Sequence, residues 1–183
     1  VLLRQRFGDL SPAIGSMVTV GVSRGEIAYV SSSLARVADG ASVPAAELSP
    51  VQAWVEAAAN VGRSVTGSVL SKITETADEA TAGTVAWTRL AVPGFSEQQQ
   101  VRLRALALAD GTVRPVYETN VVDNTGGIGF AYTLMVDAVT GDVLHRAHQV
   151  ENDSVQEVFQ GTITPTECGA KHPFELTDDA TRT

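Results

Sequence analysis

The fold is decided by the stretch Val101-Arg-Leu-Arg-Ala-Leu-Ala-Leu-Ala-Asp110-Gly111-Thr-Val-Arg-Pro-Val-Tyr-Glu-Thr-Asn-Val121. Asp-Gly between two alternating runs is a hairpin signal, because glycine takes the positive φ that tight turns require. A strand over 101–109 therefore turns at Asp110-Gly111 and returns over 112–121. The period of two then places Val113, Tyr117, Thr119 and Val121 on one face. After the loop Asp123-Asn124-Thr125-Gly126-Gly127, residues 129–137 carry Phe130, Tyr132, Leu134 and Val136 on an unbroken apolar face. Gly141 closes a further turn, and 142–150 pairs back. Residues 101–150 thus read as an antiparallel meander.

Working outward, Met17-Val-Thr-Val-Gly-Val22 and 26–34 form an earlier hairpin about Ser23-Arg24-Gly25. Alternation predicts Ile27 and Tyr29 on one face, with Ala28, Val30 and Leu34 on the other. A helix is predicted over 50–61. Ser49 can cap it, Pro50 suits its first position and Gln52 completes a Ser-x-x-Gln capping box. Val51, Trp54, Val55 and Ala58 recur at helical spacing opposite Gln52, Glu56 and Asn60, and Gly62 is a natural stop. One apolar stripe means that this helix packs on a sheet. Residues 71–84 are polar and weakly periodic and read as a surface connection; Trp87 begins a short strand before Pro93-Gly94. Antiparallel hairpins packed on one amphipathic helix give an α+β class, with a partial segment at the carboxyl end.

The chain has 183 residues, 44% hydrophobic and 19% charged, enough for one compact domain with an appended segment. Thirteen Lys and Arg against 21 Asp and Glu give a net charge of -8. That balance argues against nucleic-acid and anionic-membrane partners. No apolar run approaches the roughly 20 residues of a membrane span. Val1 is not preceded by a charged-then-apolar leader, so a signal peptide is expected to be absent or already removed.

Catalytic constellations are sought and not found. His145 and His148 are three apart on a predicted strand and point to opposite faces, and neither they nor His172 belong to a His-Glu-x-x-His pair. No Gly-x-Ser-x-Gly elbow is present. Gly126-Gly127-Ile128-Gly129 lies between strands and opens no helix, so it reads as a loop rather than a phosphate cradle. Asp137 and Asp142 lack calcium-loop spacing and read as turn residues. Trp54 and Trp87 read as core residues. The lone Cys168 cannot form an internal disulfide. It is a buried thiol, a thiolate able to cap a protease zinc, or a structural cysteine whose disulfide partner lies downstream.

Three segments carry a family resemblance. Gly15 to Leu34, shortly after Leu3-Arg4-Gln5, resembles the fungalysin/thermolysin propeptide motif, in which a strand carrying Gln leads into a short hairpin. Leu48-Ser-Pro-Val-Gln-Ala-Trp54 resembles that family's helix. Tyr132-Thr-Leu-Met-Val-Asp-Ala-Val-Thr-Gly-Asp-Val-Leu144 resembles a PepSY-type ending. The resemblance implies a cystatin/PepSY-like fold and the amino-terminal prosegment of a secreted, bacterial zinc metalloprotease of the fungalysin group. Such a segment assists folding of the cognate catalytic domain, inhibits it and is removed by proteolysis. Zinc is then expected in that catalytic domain and no cofactor in this chain, which by itself is no protease. A stand-alone cell-envelope PepSY-like binding domain is the alternative.

The expected organisation is a hairpin-and-helix region over 1–70, a surface connection over 71–100, the meander over 101–150, a processing linker over 151–158, and the start of the mature protein or another module over 159–183. Processing needs an exposed site outside a core. Thermolysin-like enzymes, which the resemblance brings in, favour an apolar residue just after the cut. The candidate bonds are Ser154-Val155 and Glu157-Val158, with Val158-Phe159 at the edge of the window.

Overall fold

Chain reversal at Arg24-Gly25 sets the first layer. The computed structural model describes residues 1–79, 85–125, 129–150, 163–165 and 174–176. β1 (Leu2–Arg4), β2 (Met17–Ser23) and β3 (Glu26–Ser32) form an antiparallel sheet in that order. Helix α1 follows at Pro50–Asn60. Ser49 Oγ accepts from the Gln52 amide at 3.2 Å, and Gln52 Oε1 accepts from the Ser49 amide at 2.8 Å, so two amide donors at the helix start are satisfied. Gly62 at φ 76 turns the chain out of the helix. The buried residues are Ala53, Trp54, Ala57 and Ala58, while Val51 and Val55 are half-buried. The small alanines let the helix lie close to its sheet.

A one-turn helix, α2 (Gly67–Leu70), precedes β4 (Thr74–Ala77) and β5 (Thr88–Ala91). β6 (Gln99–Ala107), β7 (Val113–Asp123), β8 (Phe130–Asp137) and β9 (Val143–His148) complete a six-stranded antiparallel sheet whose strands lie in chain order. Its face toward α1 carries Leu90, Val101, Tyr117, Val121, Leu134 and Val136 around Trp54. Val55, Phe130 and Tyr132 pack against the same core, as expected from the sequence. The Trp54 ring meets Phe95 edge-on at 5.2 Å. A second, smaller cluster joins Phe7, Ala105 and Val113.

The α+β expectation is overturned. Among the described residues strand makes up 44% and helix 11%, and only one helix reaches seven residues, so the fold is mostly β. One 11-residue helix carries a strong local signal, but two antiparallel sheets of three and six strands supply most of the ordered backbone. Residues 71–84 are not wholly a connection, because Thr74–Ala77 pairs with β5 as the sheet's edge. Trp87 is half-buried outside the core, its ring 4.0 Å beneath the Arg102 guanidinium.

The chain divides into two compact units, Val1–Val150 and Glu151–Thr183. The stretches 1–70, 71–100 and 101–150 therefore belong to one unit. In the second, β10 (Ile163–Pro165) pairs antiparallel with β11 (Phe174–Leu176).

Candidate functional site

No residue of β1, β2 or β3 is buried. Cross-strand partners share a face, and the register sets Val18 beside Leu3, Val20 beside Val30 and Val22 beside Ile27. These side chains form one aliphatic, uncharged face. Leu3 is 55% exposed, Val22 56%, Ile27 69% and Val30 59%. The expected pairing of Ile27 with Tyr29 on one face fails. Between Gly21 and Val22 the register shifts by one residue on β3, a bulge that moves Ile27 to the valine face. Tyr29 stays on the opposite face, over Gly21, where a Cβ would lie 2.1 Å from its ring. Arg24 and Gly25 both take positive φ (54 and 84), the geometry of a primed two-residue turn.

This sheet is fixed to the rest of its unit from one end. The Gln5 side chain accepts from the Ala35 amide at 3.0 Å and donates to the Ala35 carbonyl at 3.3 Å, closing the base of the hairpin. The Ala105 amide donates to Ser11 O at 2.9 Å, and Ala13 donates to Ala105 O at 2.7 Å, so residues 11–13 extend the edge of β6. The Gln of the sequence motif is thus a backbone clamp.

The Asp137 segment is likewise structural. Asp137 Oδ1 accepts from the amides of Val139 and Thr140 at 2.8 and 3.1 Å, and its Oδ2 lies 2.7 Å from Arg114. Thr140 Oγ1 donates to Asp142 at 2.7 Å, and Gly141 supplies φ 85. The Ala138 carbonyl accepts from the amides of Glu47 and Leu48, and the Tyr117 hydroxyl donates to Leu48 O at 2.9 Å. This turn therefore holds the entrance of α1 on the sheet.

Across β7, Asp123 caps a second turn. Its carboxyl is held below the usual carboxylate range first by the Thr125 hydroxyl at 2.6 Å, with further help from the Thr125 amide, Ser96 and Arg63.

Among the described residues, chemistry-bearing side chains do not converge. His145 is registered with Met135 and His148 with Tyr132, on opposite faces, and the His148 ring meets that of Tyr132 at 4.5 Å, tilted by 57°. Among the described residues no three His, Cys, Asp or Glu side chains group as metal ligands. His172, Cys168 and the processing candidates Ser154, Val155, Glu157 and Val158 lie outside the described residues, as do Gly126, Gly127 and Ile128. An open cleft of about 630 Å³ between residues 5–10 and 41–46 is lined mainly by apolar groups such as Phe7, Leu10, Val43 and Leu103. The aliphatic face of β1–β3 is therefore the candidate interaction surface.

No family model matches the chain, and no curated protein or solved structure is similar to it. The family resemblance rests on the quoted residues alone.

Proposed function

We propose that this chain is the prosegment of a secreted zinc metalloprotease of the fungalysin group, inhibiting the catalytic domain and assisting its folding until it is cut away. The observation that carries this reading is the uncovered aliphatic face of β1–β3. Contiguous exposed apolar patches mark interaction sites, and a prosegment acts by covering a partner rather than by reacting with it. Two supports accompany it. The motif residues Gln5, Ser49, Gln52, Asp137, Thr140 and Gly141 all serve the backbone, through caps, turns and a strand clamp. Residues 151–158, the candidate processing window, begin at the boundary between the two compact units.

The experiment has two parts. The gene is read beyond residue 183 for a His-Glu-x-x-His coding sequence, and the downstream domain is refolded with and without this chain in trans. The reading predicts the motif and a refolding yield that depends on the chain. A stop codon after residue 183 would refute it and favour the stand-alone binding domain.

A further inference from the structure

The six-stranded sheet has a second face, turned away from α1, and its charges do not balance. Arg102 donates to Glu118 through Nε at 2.8 Å and Nη2 at 3.0 Å. Arg104 reaches the same carboxylate at 3.5 Å and donates to the Pro12 carbonyl. Arg114 pairs with Asp137, yet its buried Nε–H has no partner among the described residues. Arg4, at the exposed end of β1, stands close enough to repel Arg104. Burial, then repulsion from Arg102 and Arg4, pushes the Arg104 guanidinium below its ordinary pKa. With the Arg89–Asp78 pair, which the register places on the same face, five guanidiniums meet three carboxylates, Asp78, Glu118 and Asp137. That positive excess is concentrated on one face of a chain whose net charge is -8.

Guanidiniums fixed in this way are preorganised for carboxylate, which they bind in a two-pronged fashion. We propose that this face, at Arg4, Arg102, Arg104 and Arg114, docks an acidic segment of a partner protein through its carboxylates. The observation is separate from the aliphatic face of β1–β3, and the inference stands whether or not the prosegment reading does. Charge complementarity selects the occupant, since a carboxylate-rich segment supplies the negative charge that this face lacks.

The test uses the full chain at low ionic strength with a hexaglutamate peptide as probe and hexaglutamine as its control. Tryptophan fluorescence reports binding, because the Trp87 ring lies under Arg102. Saturable quenching by hexaglutamate alone is expected, weakened about threefold by Arg4→Gln and about tenfold by Arg104→Gln, and falling as salt screens the charges. Arg4 is exposed, so its variant keeps the test valid if Arg104→Gln disturbs the fold. Equal response to both peptides, or wild-type affinity in the Arg4→Gln protein, overturns the proposal. Tighter binding of a single-stranded oligonucleotide, or of inorganic phosphate, than of hexaglutamate also overturns it.

Discussion

Replacing Asp137 with Ala tests whether the turn after β8 holds the fold together. The carboxylate is 3% exposed and Arg114 32% exposed, so the pair is only partly shielded from water. Loss of the two turn hydrogen bonds costs about 1 kcal/mol each. Breaking the ion pair adds about 1–2 kcal/mol, less than for a fully buried pair because Arg114 keeps contact with solvent. The sum is about 3–4 kcal/mol, which in urea lowers the unfolding midpoint by about 1.5–2 M at a slope of ~2 kcal/mol/M. Asp137→Asn keeps a side-chain oxygen for the turn amides and removes only the charge, so it costs about 1–2 kcal/mol. Urea titrations followed by circular dichroism give both numbers. An Ala variant within about 0.5 kcal/mol of wild type, or an Asn variant as unstable as the Ala variant, refutes the assignment of this turn as a structural lock.

Three further outcomes follow from the same geometry. Leu134→Ala, fully buried in β8, should cost about 2–5 kcal/mol and lower the melting temperature by about 2–4 °C per kcal/mol, whereas Ile27→Ala on the exposed face should change it by under about 0.5 kcal/mol; equal shifts in the two melts would refute the core assignment. The depressed carboxyl of Asp123 contributes stability that is present above the ordinary carboxylate value of about 3.9 and lost as pH falls through its own lower value, so Asp123→Asn should flatten the acid limb of the stability curve between about pH 5 and pH 2; an unchanged limb contradicts the assignment. Gln5→Ala should raise hydrogen exchange at the Ala35 amide by about tenfold through loss of its acceptor, and wild-type protection there would show that the clamp holds nothing.

Much of the scaffold was legible because its signals are local. Asp110-Gly111 announced the β6–β7 hairpin, and Gly111 takes φ 84 with Asp110 accepting from the Thr112 amide at 2.9 Å. The capping box at Ser49 and Gln52 was readable for the same reason. β4 was not legible. Thr74-Glu-Thr-Ala is an exposed edge with no apolar face, so alternation has nothing to report. The faces of β3 were misread because one bulged residue inverts everything beyond it, and a period of two carries no sign of a bulge. Trp87 reads as core from its size alone, yet a guanidinium covers its ring, and sequence spacing carries no sign of that partner. The candidate surface itself was hidden. Its valines were visible, but that nothing buries them is a property of the assembled sheet.

The most direct test of the account is a titration of this chain into the zinc peptidase that the account places downstream of it. Peptide hydrolysis should fall below about a tenth at roughly one equivalent, as expected when a standard-sized interface of about 1,600 Å² closes. Adding Val22→Asp and Ile27→Asp on the exposed aliphatic face should restore hydrolysis while leaving the melting curve of the chain in place. Full hydrolysis in the presence of a large excess of the wild-type chain would contradict the account.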